Sequence, residues 1–269
     1  MQDRRGRLDG KVGIVTGAGS SGAGVGTGKA IAVMCAREGC RVLLADVVRD
    51  RAEETLAAIQ VEGGEAFVSQ VDVTQADECR QIVEAIVDRY CCLDILVNNV
   101  GILAPGNVVD VDEADWNRVI DTNLKSMMLT SKYAVPYMIE SGGGAIINLS
   151  SFMALRGAYE SEPVAYSASK GGVIALTTAM ASEHGRDNIR VNAIAPGYLY
   201  TPMVAANMTE ELRELRRRSA PLGTEGTAWD VGWAAVYLAS DEARWVTGVT
   251  LPVDAGILAT SPLAMRHRM

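Results

Sequence analysis

The sequence predicts an α/β fold: a three-layer sandwich with a mostly parallel seven-stranded sheet and helices on both faces, in a single domain spanning 1–269. Short apolar runs alternate with longer segments of helical periodicity, the order that strand–helix–strand units produce. The runs are apolar nearly throughout, as strands buried on both sides are. No Pro/Gly/Ser-rich linker or short-period repeat divides the 269 residues, a length that one large α/β domain fills.

Taken in order, Lys11–Thr16 reads as a strand and Lys29–Glu38 as a helix stopped by Gly39. Arg41–Asp46 is a second strand, and the helix Arg49–Glu62 ends at Gly63-Gly64. Strand Ala66–Val71, helix Gln75–Tyr90 and strand Ile95–Asn98 follow, then a long helical region from Asp112 to about Ile139, broken by Gly142-Gly-Gly144. Ala145–Leu149 is a fifth strand, Pro163–His184 a helix and Ile189–Ile194 a sixth strand. An irregular, partly helical stretch runs to Ser219, before a helix at Ala228–Leu238 and a last strand at Gly248–Val253. Residues 1–9 read as a flexible arm and 257–269 as a C-terminal tail.

Composition narrows the partners. A net charge of −8 argues against a nucleic-acid or membrane-surface partner. No apolar run reaches the ~18–20 residues of a membrane span. Cys35, Cys40, Cys79, Cys91 and Cys92 are odd in number and lack paired spacing, which points to free thiols in a reducing cytoplasm and to no metal site. Asp110, Asp112, Glu113 and Asp115 suit a helix N-terminus.

The first strand runs into Thr16-Gly-Ala-Gly-Ser-Ser-Gly-Ala-Gly-Val-Gly-Thr-Gly28, and Asp46 closes the second strand. Glycines at a strand–helix turn let the backbone approach a pyrophosphate, whose charge the helix N-terminus favours. An acid at the end of the next strand accepts from ribose hydroxyls and repels a 2′-phosphate. The expected cofactor is therefore NAD, with NADP kept in play by Arg49 and Arg51. Counting back through the first helix from Glu38-Gly39 makes Gly26 and Gly28 the closing pair around Thr27; Gly22-x-Gly24 is the alternative.

Tyr166 and Lys170 stand four residues apart, stacked on one face of a helix. A cation there would pull the phenol's pKa below its usual ~10 and ready it for proton exchange. The spacing alone is equally that of a solvated helix face.

With the glycine turn these residues resemble the short-chain dehydrogenase/reductase family over nearly the whole chain. The resemblance implies a Rossmann-like fold and a reversible, NAD-dependent hydride transfer between a secondary alcohol and its ketone. Gly17 and the closing Gly26/Gly28 pair match the family's Thr-Gly-x-x-x-Gly-x-Gly turn, here enlarged. Asp72-Val73 resembles the adenine contact, and Asn98-Asn99-Val100-Gly101 the family's Asn-Asn-Ala-Gly, which stabilises the sheet and lines the cofactor. Asn123 matches the asparagine that holds a water in the proton relay, and Ser151 the serine that binds the substrate oxygen. Tyr166 is then the acid–base, and Lys170 tunes it while donating to the nicotinamide ribose. Ser151 precedes Tyr166 by 15 residues, more than is usual, which implies an insertion within 154–163. Pro196, Gly197 and Thr201 match the segment that closes over the nicotinamide carboxamide; Val246-Thr-Gly248 and Asp254-x-Gly256 resemble the C-terminal signature. Family members are usually tetramers or dimers, so a homo-oligomer is expected.

The expected substrate pocket comprises Leu103, Phe152, Met153, Leu155, Tyr159, Tyr198 and Met203, with Val204 and Met208 on a covering segment over about 198–220. These side chains suit a neutral, medium-sized apolar substrate, cyclic or aromatic. Arg156 is the one nearby charge expected to be able to anchor an anion, and Arg216-Arg-Arg218 reads as a solvated helix face. A reductase of 3-oxoacyl thioesters is the alternative reading within enzymes; a dinucleotide-binding regulator or scaffold is the alternative outside them.

Overall fold

The computed structural model describes residues 6–157, 163–205 and 208–261. Seven strands form one sheet in the order β3-β2-β1-β4-β5-β6-β7: β1 Val12–Thr16, β2 Arg41–Asp46, β3 Ala66–Gln70, β4 Ile95–Asn98, β5 Gly144–Leu149, β6 Ile189–Pro196 and β7 Thr250–Val253. Every pairing is parallel, so the sheet is wholly parallel. Helices α1 (Thr27–Arg37), α2 (Arg49–Val61), α3 (Ala76–Tyr90), α4 (Glu113–Ile120), α5 (Ser126–Glu140), α6 (Val164–His184) and α9 (Ala228–Ala239) cover it. The short α7 (Pro202–Ala205) and α8 (Glu210–Ser219) lie in the covering segment.

Strand neighbours point to opposite faces. Val15, Leu44, Val97 and Ile147 join one core with α1, α2 and α9. Ile14, Leu43, Leu96 and Ile146 join the other with α3 and α5. A buried polar network crosses the second layer: Asn98 donates to Asn148 Oδ1 (2.9 Å) and accepts from Thr130 Oγ1 (2.6 Å), and Asn148 donates to Thr177 Oγ1 (3.0 Å). It ties β4 and β5 to α5 and α6. The order of strands reverses between β1 and β4, which opens a crevice at their carboxyl ends where such folds bind ligands.

Three expectations need correction. The helical region predicted over 112–139 is α4 and α5 joined by a π-helical turn at Asp121–Lys125; no Gly or Pro marks that turn. The arm predicted over 1–9 is docked from residue 6, because Leu8 is fully buried and Arg7 pairs with Glu38 and Glu242. The tail predicted from 257 begins as a helical turn, Ile257–Ala259, with Ile257 buried. Residues 262–269 lie outside the described residues.

Candidate active site

The glycine turn is held from β4. Gly17 takes a left-handed φ of +62°, and a Cβ at Gly28 would run into the Gly17 carbonyl; both positions need glycine for these reasons. The Asn99 side chain donates to the Thr16 and Gly17 carbonyls (3.2 and 3.1 Å) and accepts from Thr27 Oγ1 (2.7 Å). Gly26 directly precedes α1, as the count from Gly39 predicts, and donates to Ser20 Oγ (2.8 Å). The enlarged part of the loop leans on the covering segment, where added Cβ atoms at Gly22 and Gly24 would meet Pro202.

Asp46 lies at the tip of β2, nearly buried; its carboxylate accepts from Gly19 N–H (2.9 Å) and Val48 N–H (3.0 Å). Gly19 is a loop residue that the sequence reading passed over. A side chain there would press on Arg51 and Asp46, and its signal was the Gly-x-Gly at 17–19. Asp72 follows β3 and caps its own turn by accepting from Thr74 N–H and Oγ1 (2.9 and 2.7 Å), with Val73 buried beside it. Pro196 ends β6. Gly197 donates to the Val253 carbonyl (2.9 Å) and packs on Asp254 too closely for a Cβ. The Thr201 carbonyl starts α7.

Four side chains converge at the ends of β4 and β5. Ser151 follows β5, is 5% exposed, accepts from Met153 N–H (3.2 Å) and hydrogen-bonds Tyr166. Lys170, 3% exposed, donates through Nζ to the Leu149 carbonyl (2.6 Å) and lies 5.7 Å from the centre of the Tyr166 ring. Asn123 sits in the π-helical turn, a feature frequent at functional sites. It accepts from Ile102 N–H (2.8 Å) and donates to the Ile102 carbonyl (3.0 Å) and Ser169 Oγ (3.0 Å). Ser169 in turn donates to the Tyr166 carbonyl (2.7 Å). Gly101 lies between the groups, where an added Cβ would press on Lys170 Nζ at 3.3 Å and touch Asn123 Oδ1 at 3.8 Å. The Asn123 side chain thereby joins the loop after β4 to α6.

Burial dominates both ionisations. It pushes the Tyr166 phenol up, and the hydrogen bond with Ser151 opposes that only in part. It pulls the Lys170 ammonium down from 10.5 to about 7. The expectation that Lys170 lowers the Tyr166 pKa is thus not met: desolvation penalises each charged form more than the neighbouring charge rewards it.

The expected pocket is only partly assembled. Phe152 is buried and stacks edge-on with Tyr198, ring centres 4.8 Å apart. Met153 packs on the same cluster. Leu103, Leu155 and Met203 are exposed, whereas Val204 and Met208 are half-buried. Tyr159 lies outside the described residues. Arg156 is not an anion anchor: its guanidinium donates to the carbonyls of Ile257, Leu258 and Thr260 (2.6, 3.4 and 2.7 Å). Arg216 is not merely solvated either; it stacks over the Tyr198 ring at 5.0 Å. Among the described residues no group of three or more His, Cys, Asp or Glu is placed to hold a metal, and the cysteines are free.

The model of the family described as enoyl-(acyl carrier protein) reductase matches residues 22–258. A 3-oxoacyl-[acyl-carrier-protein] reductase FabG of Thermotoga maritima is 37% identical over 94% of this chain and 99% of its own. The chain belongs to the short-chain dehydrogenase/reductase family. As a member of this family, which uses NAD(P)(H) nucleotides, it is an oxidoreductase. Another relative within the short-chain dehydrogenases/reductases is 2,5-dichloro-2,5-cyclohexadiene-1,4-diol dehydrogenase LinX of Sphingobium indicum, 34% identical over 93% of this chain and 97% of its own. A short-chain type dehydrogenase/reductase from Mycobacterium marinum superposes with a TM-score of 0.87 at 30% identity, covering 94% of this chain and 97% of that one. A crystal structure of a Burkholderia xenovorans protein reaches a TM-score of 0.90 at 41% identity, covering 95% and 99%.

Proposed function

We propose that this oxidoreductase transfers a hydride reversibly between NAD and a secondary alcohol or its ketone. The observation that carries the reading is the buried Lys170, with Nζ 5.7 Å from the centre of the Tyr166 ring, next to Ser151 and the glycine turn. The residues fit the nucleotide. Gly17, Gly26, Thr27 and Gly28 form a cradle that a Cβ at Gly17 or Gly28 would disturb. Asp46 would hold the adenosine ribose, and Asp72 and Val73 would flank the adenine. Asn99, which pins the turn, and Gly101, with Lys170, would line the nicotinamide riboside, and Pro196, Gly197 and Thr201 its carboxamide. When bound, NAD supplies the carbon that accepts or donates the hydride.

The protein's own part is proton handling and orientation. In oxidation the Tyr166 oxygen takes the alcohol proton as the C–H bond breaks; in reduction it returns that proton. Ser151 donates a hydrogen bond to the substrate oxygen, where negative charge develops. Lys170 keeps a proton-exchanging amine below the phenol, and Asn123 holds α6 against the loop that carries Leu103. Leu103, Met153 and Met203, with Leu155 and Val204, offer apolar and adaptable surface for a neutral, medium-sized substrate.

A second reading, a reductase of 3-oxoacyl thioesters, is favoured by the name of the Thermotoga relative. A panel of neutral secondary alcohols and of 3-hydroxyacyl thioesters, assayed with both nucleotides, separates the two. Turnover of the alcohols with NAD supports the proposal. Activity confined to carrier- or CoA-bound chains replaces it, and no turnover of any member leaves a nucleotide-binding scaffold.

Asp46 gives a sharper test of the nucleotide. Asp46→Asn keeps the shape but removes the charge that opposes a 2′-phosphate, so the NADP-to-NAD ratio of kcat/KM should rise roughly 10- to 100-fold. An unchanged ratio would show that Asp46 does not select the cofactor. We also place the protein in the cytoplasm as a dimer or tetramer. No helix among the described residues is long and apolar enough to cross a membrane. Trp233 on α9 and Trp245 beyond it are 55% and 93% exposed, apolar surface of the kind that subunit contacts cover.

A further inference from the structure

The helix that carries Tyr166 starts without help from its own side chains. Pro163 precedes α6 and gives its first turn no side-chain cap, so the first N–H groups of the helix depend on partners elsewhere. The loop after β4 supplies two ties. The Gly106 carbonyl accepts from Val164 N–H (3.2 Å), and the Ile102 backbone reaches the same turn through two side chains, Asn123 and Ser169.

Ser169 is fully buried and stands three residues after Tyr166. A hydroxyl has one proton to give. Ser169 gives it to the Tyr166 carbonyl (2.7 Å) while accepting from Asn123 Nδ2 (3.0 Å). The Asn123 amide directs its other donor to the Ile102 carbonyl (3.0 Å), and its oxygen accepts from the Ile102 N–H (2.8 Å). Neither side chain can turn without stranding a buried polar atom. Packing keeps α6 at the distance these bonds need: a Cβ at Gly172, three residues beyond Ser169, would strike Leu124 of the π-helical turn at 2.6 Å. A serine bonded to a carbonyl of its own helix is commonplace. What sets Ser169 apart is its second bond, to a side chain of another element. Thr178, exposed on the same helix, makes the commonplace bond (3.1 Å to the Ile174 carbonyl).

We propose that Ser169 is a positioning residue, which fixes the first turn of α6 so that the Tyr166 phenol stands in register with Ser151 and Lys170. The inference rests on the hydride-transfer reading, in which Tyr166 exchanges the proton. Ser169 acts through the backbone that carries the ring, not on the substrate. Misplacing a reacting group by about 1 Å costs on the order of 100-fold in rate, so loosening this tether has a measurable consequence.

The test compares the wild type with Ser169→Ala and Thr178→Val, assayed with neutral secondary alcohols and 3-hydroxyacyl thioesters. In Ser169→Ala kcat should fall roughly 10- to 100-fold, with nucleotide affinity unchanged. The hydrogen bond with Ser151 holds the phenol's pKa down in part. A displaced ring loses that restraint, so the alkaline rise of alcohol oxidation should move to higher pH. Lys170, the titratable group beside the ring, is left in place by the substitution. Thr178→Val should match the wild type. Amide hydrogen exchange read by mass spectrometry needs no turnover: Ser169→Ala should exchange faster in the first turn of α6 and as slowly as the wild type beyond it. An unchanged kcat, or a lower kcat with an unmoved pH profile, overturns the proposal while the hydride-transfer reading stands. An equal fall in Thr178→Val, a matching loss of nucleotide affinity or faster exchange along all of α6 also overturns it, since each marks a general structural effect. If the wild type turns over no member of the panel, the hydride-transfer reading fails and exchange alone decides: loosening confined to the first turn keeps the tether, and its absence removes it.

Discussion

Tyr166→Phe should bind NADH with near-normal affinity and lose turnover by roughly 10²–10⁴-fold, the usual worth of a positioned acid–base. The substitution removes one oxygen and leaves the ring that packs above Lys170. Ser151 keeps a partner in the Met153 N–H, so loss of its bond to the phenol should cost only about 1 kcal/mol of stability. Nucleotide titration and steady-state rates on one preparation check the two halves; full activity would remove Tyr166 from the mechanism. The wild-type pH profile should carry the same signature. Burial raises the phenol's pKa, so alcohol oxidation, which needs the phenolate, should keep climbing above neutral pH. Ketone reduction, which needs the phenol, should stay level until the pH nears that raised pKa and fall only there.

Lys170→Met should also abolish turnover, and yet raise the melting temperature of the nucleotide-free protein. The unfolded chain keeps the lysine proton up to about 10.5, whereas the folded protein gives it up at about 7. Between those values the unfolded state binds more protons, so wild-type stability rises with pH across the window. The full penalty is present below about 7 and is gone above about 10.5. A shift of this size is worth on the order of a few kcal/mol, and the Leu149 carbonyl left without its donor offsets about 1 kcal/mol of the gain. The melting temperature of Lys170→Met should therefore exceed that of the wild type by roughly 5 °C below neutral pH, with the gap closing in alkali. Equal melting temperatures at all pH values would mean that the buried amine is not discharged by its surroundings.

The sequence made the sheet legible because each strand is a compact apolar run between punctuating glycines, and because Gly39 fixed the end of α1 firmly enough to identify Gly26 by counting. It showed Tyr166 and Lys170 because their relation is local to one helix. What it hid depends on distant contacts or on backbone hydrogen bonding without a residue code. The π-helical turn at Asp121–Lys125 keeps a helical pattern of side chains. The engagement of Asn123 with Ile102 joins residues 21 positions apart. Arg156 reads as an anion anchor and Arg216 as part of a solvated helix face, and both readings change only when the Ile257 turn folds back onto one and the Tyr198 ring packs against the other. Residues 1–9 and 257–269 read as loose ends because a single buried Leu8 or Ile257 gives no periodicity.

The polar network of Asn98, Asn148 and Thr177 has a counterpart in what α7 and α8 lack: neither contributes a buried side chain. Substitutions on those helices should pass with little loss of stability, whereas a change at Asn98 or Asn148 would strand several buried partners at once. The two regions are therefore exposed to different evolutionary pressures. Variation should be tolerated across α7 and α8 far more readily than in the polar layer that ties β4 and β5 to α5 and α6.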